Sequence, residues 1–362
     1  MRRIAFIVCN ISSVGGTERA VINIANTLSK NKDIIITIIS MFSSSNDNPG
    51  LIISDKVAIS HLGLDIRASR RLRSYCHFIR LMYSVDKRKE YDIVIGTTHA
   101  MNSLIAVCMR NIKRVACEHT IYEACPLGSR IVRRIVYPKL DALVLLTKSE
   151  FAKYTFINDK RKYVIPNALS FNVENPASLN NHVIITAGRL TPVKRYDLLI
   201  DLALYIKKEL VDWEIRIFGD GECRNDLQNQ INSLQLQNYV LLKGNSNNIL
   251  KELLDSSILV MTSQYEGLPM ILIEGQACGL PIVSFDCPEG PRNIVDNGSD
   301  GYLIQEGKKE EFVKKVVELA KDIDRRKSFG ENAYKASKKY DCDQVAIQWM
   351  TFFDEIDMLP EV

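Results

Sequence analysis

Short β-branched and apolar runs alternate along this chain with stretches whose apolar positions recur every three or four residues. The runs predict strands at 4–9, 34–40, 92–96, 114–117, 142–146 and 162–165, then at 183–187, 214–218, 239–243, 258–262 and 281–285. The amphipathic stretches predict helices at 17–30, 100–111, 196–209, 224–235 and 269–278. Strands that alternate with helices imply parallel sheets with right-handed crossovers, hence an α/β architecture. The rhythm breaks once, in the Pro- and Asn-rich stretch "IPNALSFNVENPASLNNH" (165–182), which has linker composition. Two Rossmann-like domains, 1–168 and 183–340, joined by a linker at 169–182, are therefore expected. The apolar-aromatic segment "QVAIQWMTFFDEI" predicts a last helix, within 341–362, packed back on the first domain.

Composition changes the picture little. The 362 residues are 46% hydrophobic and 25% charged, which is ordinary for a folded protein, and no apolar run approaches the ~18 residues that span a bilayer. The start, "MRRIAFIVCN", runs straight into more domain and is read as a strand, not a secretory signal. Nine cysteines without a C-x-x-C pair argue against a disulfide framework or a zinc knuckle and suit a reducing cytoplasm.

Charge changes it more. Residues 1–170 hold 26 Lys+Arg against 13 Asp+Glu, net +13, while the remainder holds 21 against 30, net −9. Basic clusters at Arg67, Arg70, Arg71, Arg73 and Arg80, at 87–89, and at Arg130, Arg133, Arg134 and Lys139 imply an anionic partner surface. Nucleic acid is disfavoured, because the arginines lack interleaved aromatics and no nucleic-acid motif occurs. Anionic membrane lipid is the expected partner.

Open parallel sheets bind ligands at the carboxyl ends of their strands, so the segments after the strands carry the chemistry. After the first comes "NISSVGGTER", where Gly15 and Gly16 open a helix that Thr17 can cap and offer backbone N–H groups to an anion. The loop is not G-x-G-x-x-G, which disfavours a nicotinamide dehydrogenase. After 183–187 comes "GRLTPVKRYDLLI", whose Arg189 and Lys194 flank a proline turn and can close on a diphosphate from two sides. "FGDGECRNDL" supplies a further glycine turn with Gly219 and Gly221. "SQYEGLPMILIEGQACGLPIV" (263–283) places Glu266 in a loop and Glu274 inside an apolar helix, where a carboxylate is expensive unless a ligand uses it.

In order and spacing these motifs resemble the family 4 retaining glycosyltransferases of the GT-B fold: E-x7-E from Glu266 to Glu274, G-R-x4-K from Gly188 to Lys194, the G-x-G of Gly219–Gly221, the G-G-T loop and the "IPN" hinge. The resemblance runs from residue 5 to about 340. It implies two Rossmann-like domains facing across a cleft, a nucleotide-diphospho-sugar donor on the second domain and an acceptor on the first. It implies Arg189 and Lys194 as a diphosphate clamp, Glu274 on the ribose hydroxyls and Glu266 on the donor sugar. The N–H groups of Gly267 and Leu268 would face the sugar or its phosphate, Gly16 would let the first domain approach the donor, and His119 in "ACEHT" would be the active-site histidine, with His99 as competitor. It also implies no metal and no cofactor; the triplets "DID" (322–324) and "DCD" (341–343) read as solvated faces. Two positions depart from the family pattern: Arg195 stands where a glycine often follows the lysine, and the helix reads Glu-Gly-Gln-Ala.

The expected activity is front-face transfer of a hexose or N-acetylhexosamine, from a UDP-sugar by preference, to a glycan or polyprenyl-diphosphate-linked acceptor in bacterial surface-polysaccharide biosynthesis. The protein is expected to be cytoplasmic and peripheral on the inner face of the cell membrane. The rivals are a nucleotide-sugar epimerase on the same fold and a nucleic-acid binder.

Overall fold

Along the first strand, β1 (Arg2–Val8), Ile4, Phe6 and Val8 enter one apolar cluster while Ala5 and Ile7 enter another. A strand apolar on both faces must be covered on both, and that requirement organises the first unit. The computed structural model of the chain describes every residue except 14, 45, 48–50, 66–70 and 359–362. It forms two compact units, one of Met1–Ser170 with Asp341–Val362 and the other of Phe171–Tyr340.

The first unit continues through α1 (Gly16–Leu28), β2 (Ile34–Ser40), β3 (Val57–His61), α2 (Arg71–Arg88), β4 (Ile93–Gly96), α3 (His99–Cys108), β5 (Lys113–Glu118), α4 (Leu127–Val136), β6 (Ala142–Leu145), α5 (Lys148–Lys153) and β7 (Lys162–Val164). Its seven strands are all parallel, in the order β3-β2-β1-β4-β5-β6-β7. Strand order reverses between β1 and β4, so the segments leaving those two strands flank the unit's switch point.

The second unit repeats the plan with β8 (Val183–Ala187), α6 (Tyr196–Glu209), β9 (Glu214–Phe218), α7 (Arg224–Ser233), β10 (Val240–Gly244), α8 (Ile249–Leu254), β11 (Ile258–Met261), α9 (Met270–Ala277), β12 (Ile282–Phe285), β13 (Gly301–Ile304), α10 (Lys309–Lys321) and α11 (Ile323–Ser337). Its parallel order is β10-β9-β8-β11-β12-β13, with the reversal between β8 and β11.

The chain then returns to the first unit as α12 (Cys342–Met358). Its Val345, Trp349, Phe352, Phe353 and Ile356 are buried on α1 and the β1 face, with the Trp349 ring 5.9 Å from that of Phe6 in an edge contact. On the opposite face of the sheet, α2 supplies Phe78 and Met82 and α3 supplies Met101 and Ile105.

Among the described residues thirteen strands replace the eleven expected, the additions being β3 and β13. Both lie at sheet edges; β3 reads "VAISH" with mostly half-exposed positions and β13 reads "GYLI" after a polar, glycine-containing turn, so neither shows a continuous apolar run. The segment expected as a linker is largely docked: Ala177 N–H donates to the Cys278 carbonyl, Tyr334 Oη to the Val173 carbonyl and Arg326 Nε to the Leu179 carbonyl. Residues 171–182 are thus held by the second unit.

Candidate functional site

In the second unit the segments leaving β8, β9 and β10 touch backbone to backbone. Gly219 has φ +127°, and a Cβ there would stand 2.0 Å from the Gly188 carbonyl oxygen; one on Gly221 would stand 2.4 Å from that of Leu190. Only glycine permits that approach, which explains both residues as scaffold. The turn that follows carries Arg189, exposed, and Lys194 at the end of a single 3-10 turn, Pro192–Lys194.

Lys194 meets the segment leaving β11, across the switch point. The Thr262 hydroxyl lies 3.0 Å from the Lys194 and Arg195 carbonyls, and Gln264 N–H donates to the Val193 carbonyl. Those bonds set Lys194 Nζ 2.5 Å from Glu266 Oε1, both side chains mostly shielded but still open to solvent. A cation and a carboxylate side by side at a switch point can serve the diphosphate and the hydroxyls of one ligand. Arg195 is in the left-handed region at φ 51°, ψ 43°, which is the physical reason a glycine suits that position, and it pairs with Glu306.

Gly267 and Leu268 lie immediately before α9, whose cap is Pro269. Every residue of this helix is buried; Glu274 is 1% exposed and raises the thiol pKa of neighbouring Cys278, second to burial itself. Gly275 accounts for the departure from the family pattern: a Cβ there would press within 3.3 Å of the Leu259 side chain on β11.

A third acidic residue is brought beside Glu266 through the backbone. Glu289, in the segment leaving β12, is buried, has φ +73° and bridges backbone to backbone with Glu266; Gly290 N–H donates to the Glu266 carbonyl. Nothing in the local pattern of "CPEGPRN" singles Glu289 out, because the pairing joins residues on different strand exits. A buried acid in a strained conformation beside the proposed sugar contact is nonetheless what a functional residue looks like.

In the first unit, Gly15 is the N-cap of α1 with no side-chain cap bond, and Gly16 is the first helical residue, with open space around its Cα. Thr17 is the second helical residue, so it does not cap the helix as expected; glycine fills that place because the chain enters with extended backbone. The Glu18 carboxylate folds back to within 2.5 Å of where a Gly15 Cβ would stand, so the helix end already faces an anion of its own.

His119, just beyond β5, lines a crevice with Thr97, Leu146, Pro166, Asn167 and the Ala20 face of α1. Its Nε2 is 3.4 Å from Cys117 Sγ, its Nδ1 is enclosed without a hydrogen-bond partner, and burial lowers its pKa from 6.5 to about 4. His99 is the first residue of α3 and is only partly covered; burial and the nearby Arg133 lower its pKa while Glu118 raises it. The "IPN" residues thus share a crevice with His119 and not with His99. The expected site residues divide between the units: His119, His99 and Gly15–Thr17 in the first, and Arg189, Lys194, Gly219, Gly221, Glu266, Gly267, Leu268 and Glu274 in the second.

Residues 170–336 match the family model of glycosyl transferases group 1. An uncharacterized glycosyltransferase of Haemophilus influenzae is 28% identical, with 96% of this chain and 99% of the relative covered. The amylovoran biosynthesis glycosyltransferase AmsD of Erwinia amylovora is 27% identical over the same shares. Among solved structures, Anabaena HepE in complex with UDP-glucose superposes with a TM-score of 0.79 at 19% identity, covering 98% of this chain and all of that one.

Proposed function

We propose, from the premise that this chain carries a glycosyl transferases group 1 domain over residues 170–336 and has the GT-B fold, that it is a retaining, metal-independent hexosyl- or N-acetylhexosaminyltransferase of polysaccharide biosynthesis. The donor is a UDP-sugar, and the acceptor is a hydroxyl of a glycan or polyprenyl-diphosphate-linked glycan at the inner face of the cell membrane. The observation that carries this reading is the 2.5 Å pair of Lys194 and Glu266 on the two segments flanking the second unit's switch point.

Arg189 and Lys194 hold the diphosphate and stabilise its charge as it leaves, which is electrostatic assistance to the bond-breaking step. Glu266 and Glu289 accept hydrogen bonds from the sugar hydroxyls, and Glu274 accepts them from the ribose. With no carboxylate assigned as a covalent nucleophile, the departing phosphate takes the acceptor proton on the face it leaves. His119 stays neutral at pH 7 and serves as a hydrogen-bonding group, and its unit takes the acceptor. The likenesses to AmsD and to HepE support the polysaccharide context and the UDP-sugar donor.

The test is turnover of a nucleotide-sugar panel, first without acceptor and then with a lipid-linked or simple glycosyl acceptor, the product anomer being read by NMR. UDP release from one UDP-sugar and an α-linked product from an α-donor are expected. Inversion at the anomeric carbon overturns the retaining assignment, and an epimerised donor formed without acceptor replaces transfer by epimerisation.

A further inference from the structure

α4 is built inside out. Arg133 alone among its residues is buried, while Leu127, Ile131, Val132 and Ile135 are 66%, 52%, 44% and 65% exposed. Leu127, Ile131 and Ile135 are spaced i, i+4, i+8, and Val132 lies beside them, so the four make one continuous apolar strip facing out.

The inversion is fixed from beneath. Arg133 Nη2 is 3.2 Å from Glu118 Oε2, and its Nη1 donates to Tyr154 Oη at 3.1 Å. Glu118 Oε1 in turn accepts from Asn102 Nδ2 at 2.9 Å and from the Tyr137 hydroxyl. Rolling α4 to bury its apolar strip would break that buried network and leave Glu118 an uncompensated charge, so the strip is held in the solvent. Four large apolar side chains kept out of the core on ten residues call for a partner that covers them.

The surroundings identify the partner. α3 packs against both α2 and α4, and it adds exposed Val107 to the layer, while α2 adds exposed Ile79 and Tyr83. Over these three helices the only acid in the sequence is Asp86, which is buried and accepts from the amides of Arg110, Asn111 and Ile112. Arg73, Arg80, Lys87, Arg88 and Arg134 are all exposed on them. A second copy docking through this face by a two-fold axis would set these cations against one another. An anionic bilayer meets both features at once, with headgroup phosphates for the cations and the acyl boundary for the strip.

We propose that the α2–α3–α4 layer is a membrane-docking surface for anionic phospholipid, with the Leu127–Ile131–Val132–Ile135 strip as the inserting edge. The inference deepens the membrane part of the reading above, while its observations are independent of sugar transfer. It also narrows the basic clusters read from the sequence, since Arg133 of the third cluster is buried and takes no part in docking. Arg67 and Arg70 lie outside the described residues, and α4 becomes the principal element.

The full chain is sedimented with vesicles of mixed phosphatidylglycerol and phosphatidylcholine and with phosphatidylcholine alone. The expected result is salt-sensitive binding to the mixed vesicles only. The pair Ile131→Asp with Ile135→Asp weakens it at least about tenfold, because two apolar side chains no longer leave water. Arg73→Gln, Arg80→Gln and Lys87→Gln together weaken it about a hundredfold at low salt. All five side chains are exposed, so unchanged thermal melting is expected and certifies the comparison. Equal binding to neutral vesicles, or binding indifferent to both sets of variants, overturns the proposal. So does a concentration-dependent dimer in sedimentation velocity that the Ile131/Ile135 pair abolishes. Turnover of a UDP-sugar in vesicle-free solution is measured in parallel: unchanged turnover with lost binding supports the surface, whereas absent turnover with intact binding defeats only the transferase reading.

Discussion

Lys194 and Glu266 are 72 positions apart and meet at 2.5 Å, so each supports the other in the free protein and both are available to a ligand that separates them. Lys194→Ala and Glu274→Gln are each expected to reduce kcat/KM for transfer more than tenfold, a loss above ~1.4 kcal/mol, with thermal melting unchanged. A variant that retains more than about a tenth of wild-type kcat/KM removes its residue from the ligand contacts. His119 makes a different prediction. Its imidazole titrates at about 4 in the folded chain against 6.5 in the unfolded one. On acidification from pH 7 to pH 5 the unfolded chain therefore gains a proton that the folded chain refuses, and stability falls by up to ~2 kcal/mol, less to the extent that solvent reaches the residue's exposed part. The loss is complete below about pH 4 and absent above 6.5. Urea unfolding at pH 7 and pH 5 should show a smaller loss for His119→Gln; identical losses would refute the buried neutral imidazole.

Between residues and the whole molecule, two elements carry tests. α6 opens on Arg195 at φ 51°, a conformation that an L side chain adopts at a cost of roughly 1–2 kcal/mol and glycine does not. Arg195→Gly should therefore be more stable than Arg195→Ala by about 1 kcal/mol in urea unfolding, the reverse of their order inside a helix. If alanine is the better replacement, the left-handed assignment at the clamp turn fails. α12 closes the first unit through Trp349, which is 4% exposed and touches Phe6, Phe352 and Phe353. Trp349→Ala is expected to cost about 3–5 kcal/mol, read as a shift in the urea midpoint, because the surrounding aromatics cannot collapse into the gap.

At the scale of the molecule, two parallel sheets each present their strand exits as a platform, and charge is shared unequally between them. The stretch 1–170 carries the positive excess and the remainder the negative one, which is the asymmetry that the proposed lipid contact of the first unit and the proposed donor contact of the second require. Among the described residues no helix is long and apolar enough to cross a membrane. The proposed chemistry has one global consequence. If the diphosphate is stabilised by Arg189, Lys194 and backbone alone, transfer should be unchanged in excess EDTA, and recovery of activity only on adding Mg²⁺ or Mn²⁺ would require a metal-assisted mechanism instead.

The sequence by itself determined what local pattern can encode. The central strands, the helices expected at 17–30, 100–111, 196–209, 224–235 and 269–278, the glycines at 219 and 221 and the acid–cation motifs of the strand exits were legible, because each depends on neighbours a few residues away, whereas α4, α5 and α8 were not expected. The strands β3 and β13 were not, since "VAISH" mixes polar and half-exposed positions and "GYLI" follows a polar, glycine-containing turn and starts on a glycine, so neither shows a continuous apolar run. Tertiary structure alone decided that Lys194 pairs with Glu266, that the Glu289 backbone bridges to Glu266, and that 171–182 is held by the second unit. It also decided that α4, whose periodicity looks like that of any amphipathic helix, turns its arginine inward and its isoleucines outward. Periodicity states which residues share a face; which face is buried depends on what waits beneath it, and there it is Glu118, fixed by Asn102 and Tyr137.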